Sequence, residues 1–300
     1  AYASAEAALG TPATDADTTW WRAWIDVQLA RSNTYYWQLA WRECERVLGS
    51  MESAVMQHGT ALQRCFYYRD MADKDFAQRR LVVSTERLAH SRAALAAAEE
   101  SGSTTTIATA RFSIGFAYLW HDDLEHAAEH LEAALQMTEA TGDSVLRARC
   151  LTYLCFLHRK RGDVATTERF AHEGLRAARE VTMPEYVGAA HAHLAWLAWR
   201  RRDHDTCMRE GRAALESWAM GQRYPLQWCA SLPLLASSLA QGHVSDALAH
   251  AAALLEPYQQ RLPDGLTEAL TCAVRGGSDP DTATAALERS VALAVQARLL

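Results

Sequence analysis

The sequence predicts an all-α array of helix-turn-helix hairpins, and three observations predict it. The segments AYLWHDDLEHAAEHLEAAL (117–135), LHRKRGDVATTERFAHEGL (157–175), LAWRRRDHDTCMREGRAAL (197–215) and SLAQGHVSDALAHAAALL (238–255) align without a gap at a forty-residue period. Apolar residues recur on that period: Ile114, Leu154, Leu194 and Leu234 in the first helix, and Leu95, Leu135, Leu175, Leu215 and Leu255 in the second. Strand signals are almost absent, and the seven prolines and fifteen glycines gather where helices should stop. A hairpin of this length cannot bury its apolar face alone, so neighbours must stack.

Taken in order, residues 1–16 are rich in Ala, Thr and Asp and are expected to fray. Irregular N-terminal units follow over 17–98. TTWWRAWIDVQLARSNTYYWQLAWRECERVL outlines one hairpin with Trp24 and Leu48 at core positions, and Thr60 to Leu95 outlines another whose turn falls near Arg80 to Ser84. Regular units span 104–259. Ala127, Thr167, Cys207 and Ala247 keep the second helix small where two backbones must approach. Asp123, Asp163 and Asp203 stand just before that helix, where a carboxylate accepts from the orphan N–H groups of the first turn. The breaks ESGS, ATGD, TMPE, RYPL and LPDG end one hairpin and open the next. A capping unit over 262–300 closes the array, with Ala285, Ala292 and Leu293 continuing the small-small-large pattern two residues short of the period. We therefore expect about seven helix pairs in a single repeat domain, 17–300.

Composition narrows the function. A formal charge of −6 argues against direct nucleic-acid binding, which needs surplus clustered Lys and Arg to release counterions. No window of eighteen residues is apolar and uncharged, and the opening lacks a basic segment followed by an apolar one, so neither membrane nor export signal is expected. Opening at Ala1, the chain is expected to be a piece of a longer cytoplasmic protein. The odd count of seven cysteines, with no CxxC, reads as buried reduced thiols. Glycine-rich phosphate loops, nucleophile elbows and thiol-histidine signatures are all missing, so neither enzyme activity nor a cofactor is expected.

Within 108–141, Ile114-Gly115, Tyr118, Ala127, Leu131 and Ala134-Leu135 resemble the tetratricopeptide repeat, Gly115 and Tyr118 being the most telling. The match is partial elsewhere, since Cys155, Ala195 and Leu235 replace the glycine and His158, Ala198 and Ser238 replace the tyrosine. With a period of forty, against about thirty-four in that family, the resemblance implies longer helices and a modified right-handed superhelix. The phrases RFSIGFAYLWHDDLEHAAEHLEAAL, RARCLTYL, MPEYVGAAHAHLAWLAWR, YPLQWCASLPLLA and QQRLPD resemble the C-terminal repeat region of bacterial STAND/AAA-type signalling ATPases, the adenylate/guanylate cyclase- or LuxR-type regulators. That resemblance implies a sensor or scaffold arm whose ATPase and effector domains belong to the same polypeptide upstream; no Walker A or cyclase-like segment occurs in these 300 residues.

Tetratricopeptide geometry implies a concave face lined by Phe112, Phe116, Leu119 and Trp120, then Arg149, Thr152, Phe156, Arg159 and Lys160, then Trp196, Trp199 and Arg200. Aromatics and cations on one surface suit an extended acidic or aromatic peptide, a protein or a small effector. The competing reading buries the aromatics between units. The clusters Arg79-Arg80, Arg159-Lys160-Arg161 and Arg200-Arg201-Arg202 fall at first-helix C-termini, where cations complement the macrodipole. His126 and His130 share a helical face, with His121 or Glu129 as a third ligand, but no second cluster joins them and no metal is expected. His191 and His193 point apart and should pack or face water. Trp20, Trp21, Trp24, Trp37 and Trp41, beside Tyr35 and Tyr36, read as the bulky core of the first hairpin or as a docking surface. The functional expectation is a non-catalytic binding domain acting as the sensor or scaffold arm of a signalling ATPase. The alternative is a module for homo-oligomerisation, or an intramolecular clamp, with no external ligand.

Overall fold

The computed structural model describes residues 17–219 and 224–300, with Ser4 and Leu9 besides. The expectation for residues 1–16 and the Arg223 end of the RYPL break fall largely outside them. Among the described residues the chain forms fourteen α-helices and no strand: α1 (Thr18–Trp37), α2 (Trp41–His58), α3 (Ala61–Gln78), α4 (Thr85–Ser101), α5 (Thr104–Trp120), α6 (Leu124–Thr141), α7 (Ser144–Arg161), α8 (Val164–Glu180), α9 (Pro184–Arg200), α10 (His204–Ala219), α11 (Trp228–Ala240), α12 (Val244–Leu254), α13 (Asp264–Arg275) and α14 (Pro280–Gln296). None is long and apolar enough to cross a membrane. These are the seven expected hairpins. They group into two compact units, residues 1–141 and 142–300.

The turns explain why the helices stop where they do. Left-handed residues recur at Asp122, Gly162, Arg202 and Gly242 between the helices of a pair, and at Gly102, Gly142 and Thr182 between pairs. After each of the first four, the next amide bonds back to the carbonyl five residues earlier: Asp123 to Tyr118, Asp163 to His158, Asp203 to Ala198 and His243 to Ser238, at 2.8 to 3.0 Å. This satisfies end-of-helix carbonyls and reverses the chain. The aspartates of that set then cap the following helix, accepting from His126, Thr166 and Thr206 backbone N–H at 3.3, 3.1 and 3.0 Å. One short link thus both ends and starts a helix.

In the first unit, α1, α3 and α5 begin at 18, 61 and 104, a spacing of forty-three that the forty-residue alignment does not reveal. The first hairpin and α3 enclose Ile25, Leu29, Cys44, Val47, Leu48, Met51, Val55 and Tyr67. Trp21, Trp24 and Tyr35 lean on this core half-buried, whereas Trp37 and Leu39 at the hairpin tip are 67% and 68% exposed. The tryptophan group is therefore neither wholly core nor wholly surface. The α3–α4 turn falls at 79–84, as the sequence suggests. Gly115 is required by a close approach: a Cβ there would lie 2.9 Å from Leu131 Cγ and 3.0 Å from its backbone nitrogen.

In the second unit, α7 to α12 repeat regularly and each first helix packs on the next, α7 on α9 and α9 on α11. Where Cys155, Ala195 and Leu235 replace the glycine, the position matching Leu131 becomes Ala171, Gly211 and Ala251, all buried. Bulk lost from one helix series is thus carried by the other, which is why the tetratricopeptide pattern thins there without the packing opening. Thr167, Cys207 and Ala247 are fully buried at the crossings, as Ala127 is in the first unit. The leucine series at 135, 215 and 255 is only half-buried, and the preceding Ala134, Ala214 and Leu254 are the deeper residues. Six of the seven cysteines are buried; Cys272 is exposed.

The last hairpin departs from the pattern. It is α14, not α13, that reaches α11, and the buried positions on α14 are Ala283, Leu287, Ser290 and Ala294. Ala285 and Ala292, expected inward, are exposed, and Leu293 is half-buried. The cause is register: α8, α10 and α12 begin forty residues apart at 164, 204 and 244, but α14 begins thirty-six after α12, about one helical turn short rather than two residues.

Candidate functional site

In the first unit Phe112, Phe116 and Trp120 stand one turn apart on α5, with ring centroids 6.2 and 6.0 Å apart along the stripe. Phe76 of α3 meets Phe116 edge-on at 5.2 Å. Between these helices lies Arg87 of α4, buried, its guanidinium 4.3 Å from the Phe76 ring and 5.7 Å from Phe116. Arg87 Nη1 donates to the Ala72 carbonyl and stands 3.5 Å from Asp73 Oδ1. Burial lowers its pKa, opposed mainly by Asp73. Phe112 and Leu119 are buried, and Phe116 and Trp120 half-buried. Beside the stripe, Tyr118 stacks on both His126 (5.0 Å) and His130 (5.7 Å), and His126 Nδ1 lies 2.8 Å from Asp123 Oδ2. The two imidazoles are thus engaged by an aromatic and a capping carboxylate. Among the described residues no three His, Cys, Asp or Glu side chains converge on a cation position.

In the second unit the structure draws Phe156, Arg159 and Trp196 together with two residues the sequence reading did not assign to the site, His193 and Trp228. Phe156 meets His193 at 4.4 Å and Trp228 at 5.9 Å. The Arg159 guanidinium lies 5.3 Å from both the Trp196 and Trp228 rings. It donates to the Cys229 carbonyl at 2.9 Å and the Leu299 carbonyl at 2.7 Å, and is 3% exposed. Burial pulls its pKa down to about 10. A buried charge persists only when its hydrogen bonds are met. Here two carbonyls and two indole faces meet most of them. His193 is fully buried with neither ring nitrogen bonded, and burial followed by the nearby Arg159 charge holds its pKa well below the usual imidazole range. It is a neutral packing residue.

This placement corrects part of the expected binding face. Phe112, Leu119, Thr152, Phe156, Arg159 and Trp196 are buried; Phe156 is covered by His193 and Trp228, and Arg159 is a hydrogen-bonded strut between Cys229 and Leu299. Trp199 remains half-buried against Ala195, Ala198 and Cys207. Arg200 is exposed, its guanidinium 5.5 Å from the Trp196 ring, and Arg149 and Lys160 are half-buried. The basic clusters do end first helices, but their members diverge. Arg79 pairs with Asp75 at 2.8 Å, Arg159 turns inward, and Arg201 forks onto Glu168 at 2.9 and 2.7 Å. Trp228 follows Trp196 by thirty-two residues, off the period. For His193 the sequence signal was its neighbourhood of alanines, which marks a packed face.

No protein-family model matches the sequence, and comparison with curated proteins gives no match. Solved structures do match. Aspartyl phosphate phosphatase F from Bacillus subtilis superposes with a TM-score of 0.64 at 11% identity, over 91% of this chain and 70% of that one. The apo form of RapI gives 0.59 at 12%, over 91% and 76%. The fold is a tetratricopeptide-like helical repeat. A signal transduction ATPase with numerous domains carrying a tetratricopeptide repeat sensor, from Pyrococcus horikoshii, gives 0.58 at 16%, over 85% of this chain but 38% of that much longer one. At these identities the likeness is one of fold.

Proposed function

We propose that this repeat is a non-catalytic binding domain, the sensor or scaffold arm of a larger bacterial signalling ATPase, with its hairpins acting as one domain over 17–300. The Pyrococcus protein supports this reading, since it is named as joining a repeat sensor to an ATPase. The carrying observation is the layering in the second unit: exposed Arg200 rests on the face of buried Trp196, beside half-buried Trp199. A cation held on a rigid aromatic loses less side-chain freedom on pairing with a carboxylate. The partner is then an acidic, extended peptide or protein segment, met in the second unit by Trp199, Arg200, Arg149 and Lys160; Phe116 and Trp120, half-buried in the first unit, are a separate candidate apolar contact. The acting compartment is the cytoplasm, with neither nucleic acid nor membrane as direct partner.

Two measurements test this. An array of acidic and aromatic peptides should show binders whose affinity falls about tenfold or more in Arg200→Glu; unchanged binding removes this surface from the account. Reading the frame upstream of Ala1 should reveal a glycine-rich nucleotide loop, and a frame without one sinks the ATPase assignment.

A second reading has its own observation, the exposed Trp37 and Leu39 at the tip of the first hairpin. They suit self-association or a clamp on another part of the same polypeptide. Under self-association, the mass in light scattering rises with concentration and the rise disappears in Trp37→Ser/Leu39→Ser. A constant monomer mass excludes self-association.

A further inference from the structure

The first unit contains a cavity of about 190 Å³ between α3, α4 and α5. Its walls are largely apolar, built from Cys65, Phe66, Ala72, Ala94 and Ala110. Burial pushes the Cys65 thiol up, so that wall is uncharged. Two polar groups on α4 reach the same space, Arg87 and, one turn on, Ser91, each 2% exposed. Arg87 Nε and Ser91 Oγ are both buried and neither has a hydrogen-bond partner. Other charges around the cavity are accounted for: Arg69 pairs with Asp70 at 3.2 Å, and Asp73 faces Arg87 Nη1 at 3.5 Å. What is left over is a pair of unmet donors, a buried N–H and a buried O–H, on two residues that line a largely apolar chamber.

Unmet buried donors are costly, and native structures leave few of them. A water lodged beside the two donors can accept from both, but it brings no negative charge to the guanidinium. A carboxylate is acceptor-only, with two oxygens, and so satisfies both donors at once beside a guanidinium charge. For the rest of the ligand, a dry cavity of about 150 Å³ is known to hold benzene, so this space takes a compact apolar body of about that size together with the acid group. We propose that the cavity is a binding site for a small organic monocarboxylate, its oxygens on Arg87 Nε and Ser91 Oγ and its apolar body against Phe66, Ala94 and Ala110. Thr105, Thr106 and Thr109 at the start of α5 also line it, Thr105 exposed and the other two half-buried, so this edge of the cavity lies toward solvent. The site is independent of the peptide surface proposed above, and failure of either leaves the other standing.

The test uses the full chain with benzoate and 3-methylbutanoate as probes, and benzamide and 3-methylbutanamide as neutral matches, in titration calorimetry. At least one acid should bind saturably and about tenfold tighter than its amide, and Ser91→Ala should weaken it by roughly tenfold. Ala110→Leu fills the chamber from α5 without touching either donor. It should abolish binding while circular dichroism and the thermal midpoint show a folded chain. Absence of saturation by both acids at about 10 mM, a weak affinity of less than about 3 kcal/mol, overturns the proposal. So does equal binding of acid and amide, or binding that survives Ala110→Leu.

Discussion

Thr182 sits at φ 55°, in a series whose other members between hairpins are Gly102 and Gly142. A β-branched residue in the left-handed region is strained by about 1–2 kcal/mol. Thr182→Gly should therefore raise stability by about 1 kcal/mol after the entropy of the added glycine, measured by urea denaturation; a loss would show that the Thr182 side chain makes a contact that outweighs the strain. His193 makes a prediction about acid. Its folded pKa lies well below the unfolded value of about 6.5, so the unfolded chain takes up a proton that the folded chain refuses. Stability from this group is full above pH 6.5 and falls with pH below that. His90, His130 and His250, also lowered by burial, add to the fall. Asp70, raised to about 6, works in the opposite direction, gaining stability as pH drops from 6 towards 4. His193→Leu should flatten the decline between pH 6.5 and 5, with chemical denaturation at each pH as the readout. At this scale the capping aspartates were legible, because an N-cap is decided within three residues. Arg159 was not. Its identity as a cation at a helix end was plain, but its acceptor is the carbonyl of Leu299, 140 positions away, and no local pattern encodes that.

The helices were legible as elements because leucines, small residues and turn glycines agree on one register. Gly115→Ala tests the tightest of these contacts. The added carbon meets a backbone nitrogen as well as a side chain, so rotamer change alone cannot relieve it, and a loss of about 1–3 kcal/mol is expected in thermal or chemical melts. Arg159→Met probes the strut that ties α7 to the start of α11 and to the last residues of the chain. It keeps bulk but abandons two charged hydrogen bonds, and should cost about 2–4 kcal/mol and raise hydrogen exchange at Leu299 and Leu300. Unchanged exchange there would mean that apolar burial of those leucines holds the segment. What sequence periodicity misplaced was the final hairpin. The expected register differs from the observed one by two residues, about 200° around the helix, and the run of small residues on α14 reads as small in either place. Only the neighbouring helix decides that Ala283, Leu287, Ser290 and Ala294 turn inward and Ala285 and Ala292 outward.

Across the molecule, three hairpins lie in one compact unit and four in the other. Residues 142–300, expressed alone, should give a helical spectrum and a cooperative melt, since the buried Phe156, Arg159, Trp196 and Trp228 all find their partners within that unit. A shallow, non-cooperative melt would show that the unit needs the first one to fold. Which residues of the expected face point outward was not legible: whether Trp196 or Trp199 is the more exposed one depends on helix length and crossing, which composition does not fix. The alternating left-handed residues carry a last implication. Since Asp122, Gly162, Arg202 and Gly242 reverse the chain in the same way at equal intervals, a gene encoding this protein can gain or lose a forty-codon cassette such as 164–203 and leave every remaining junction with compatible geometry. Paralogues differing in length by multiples of forty, and viable cassette deletions in the laboratory, are what such punctuation permits.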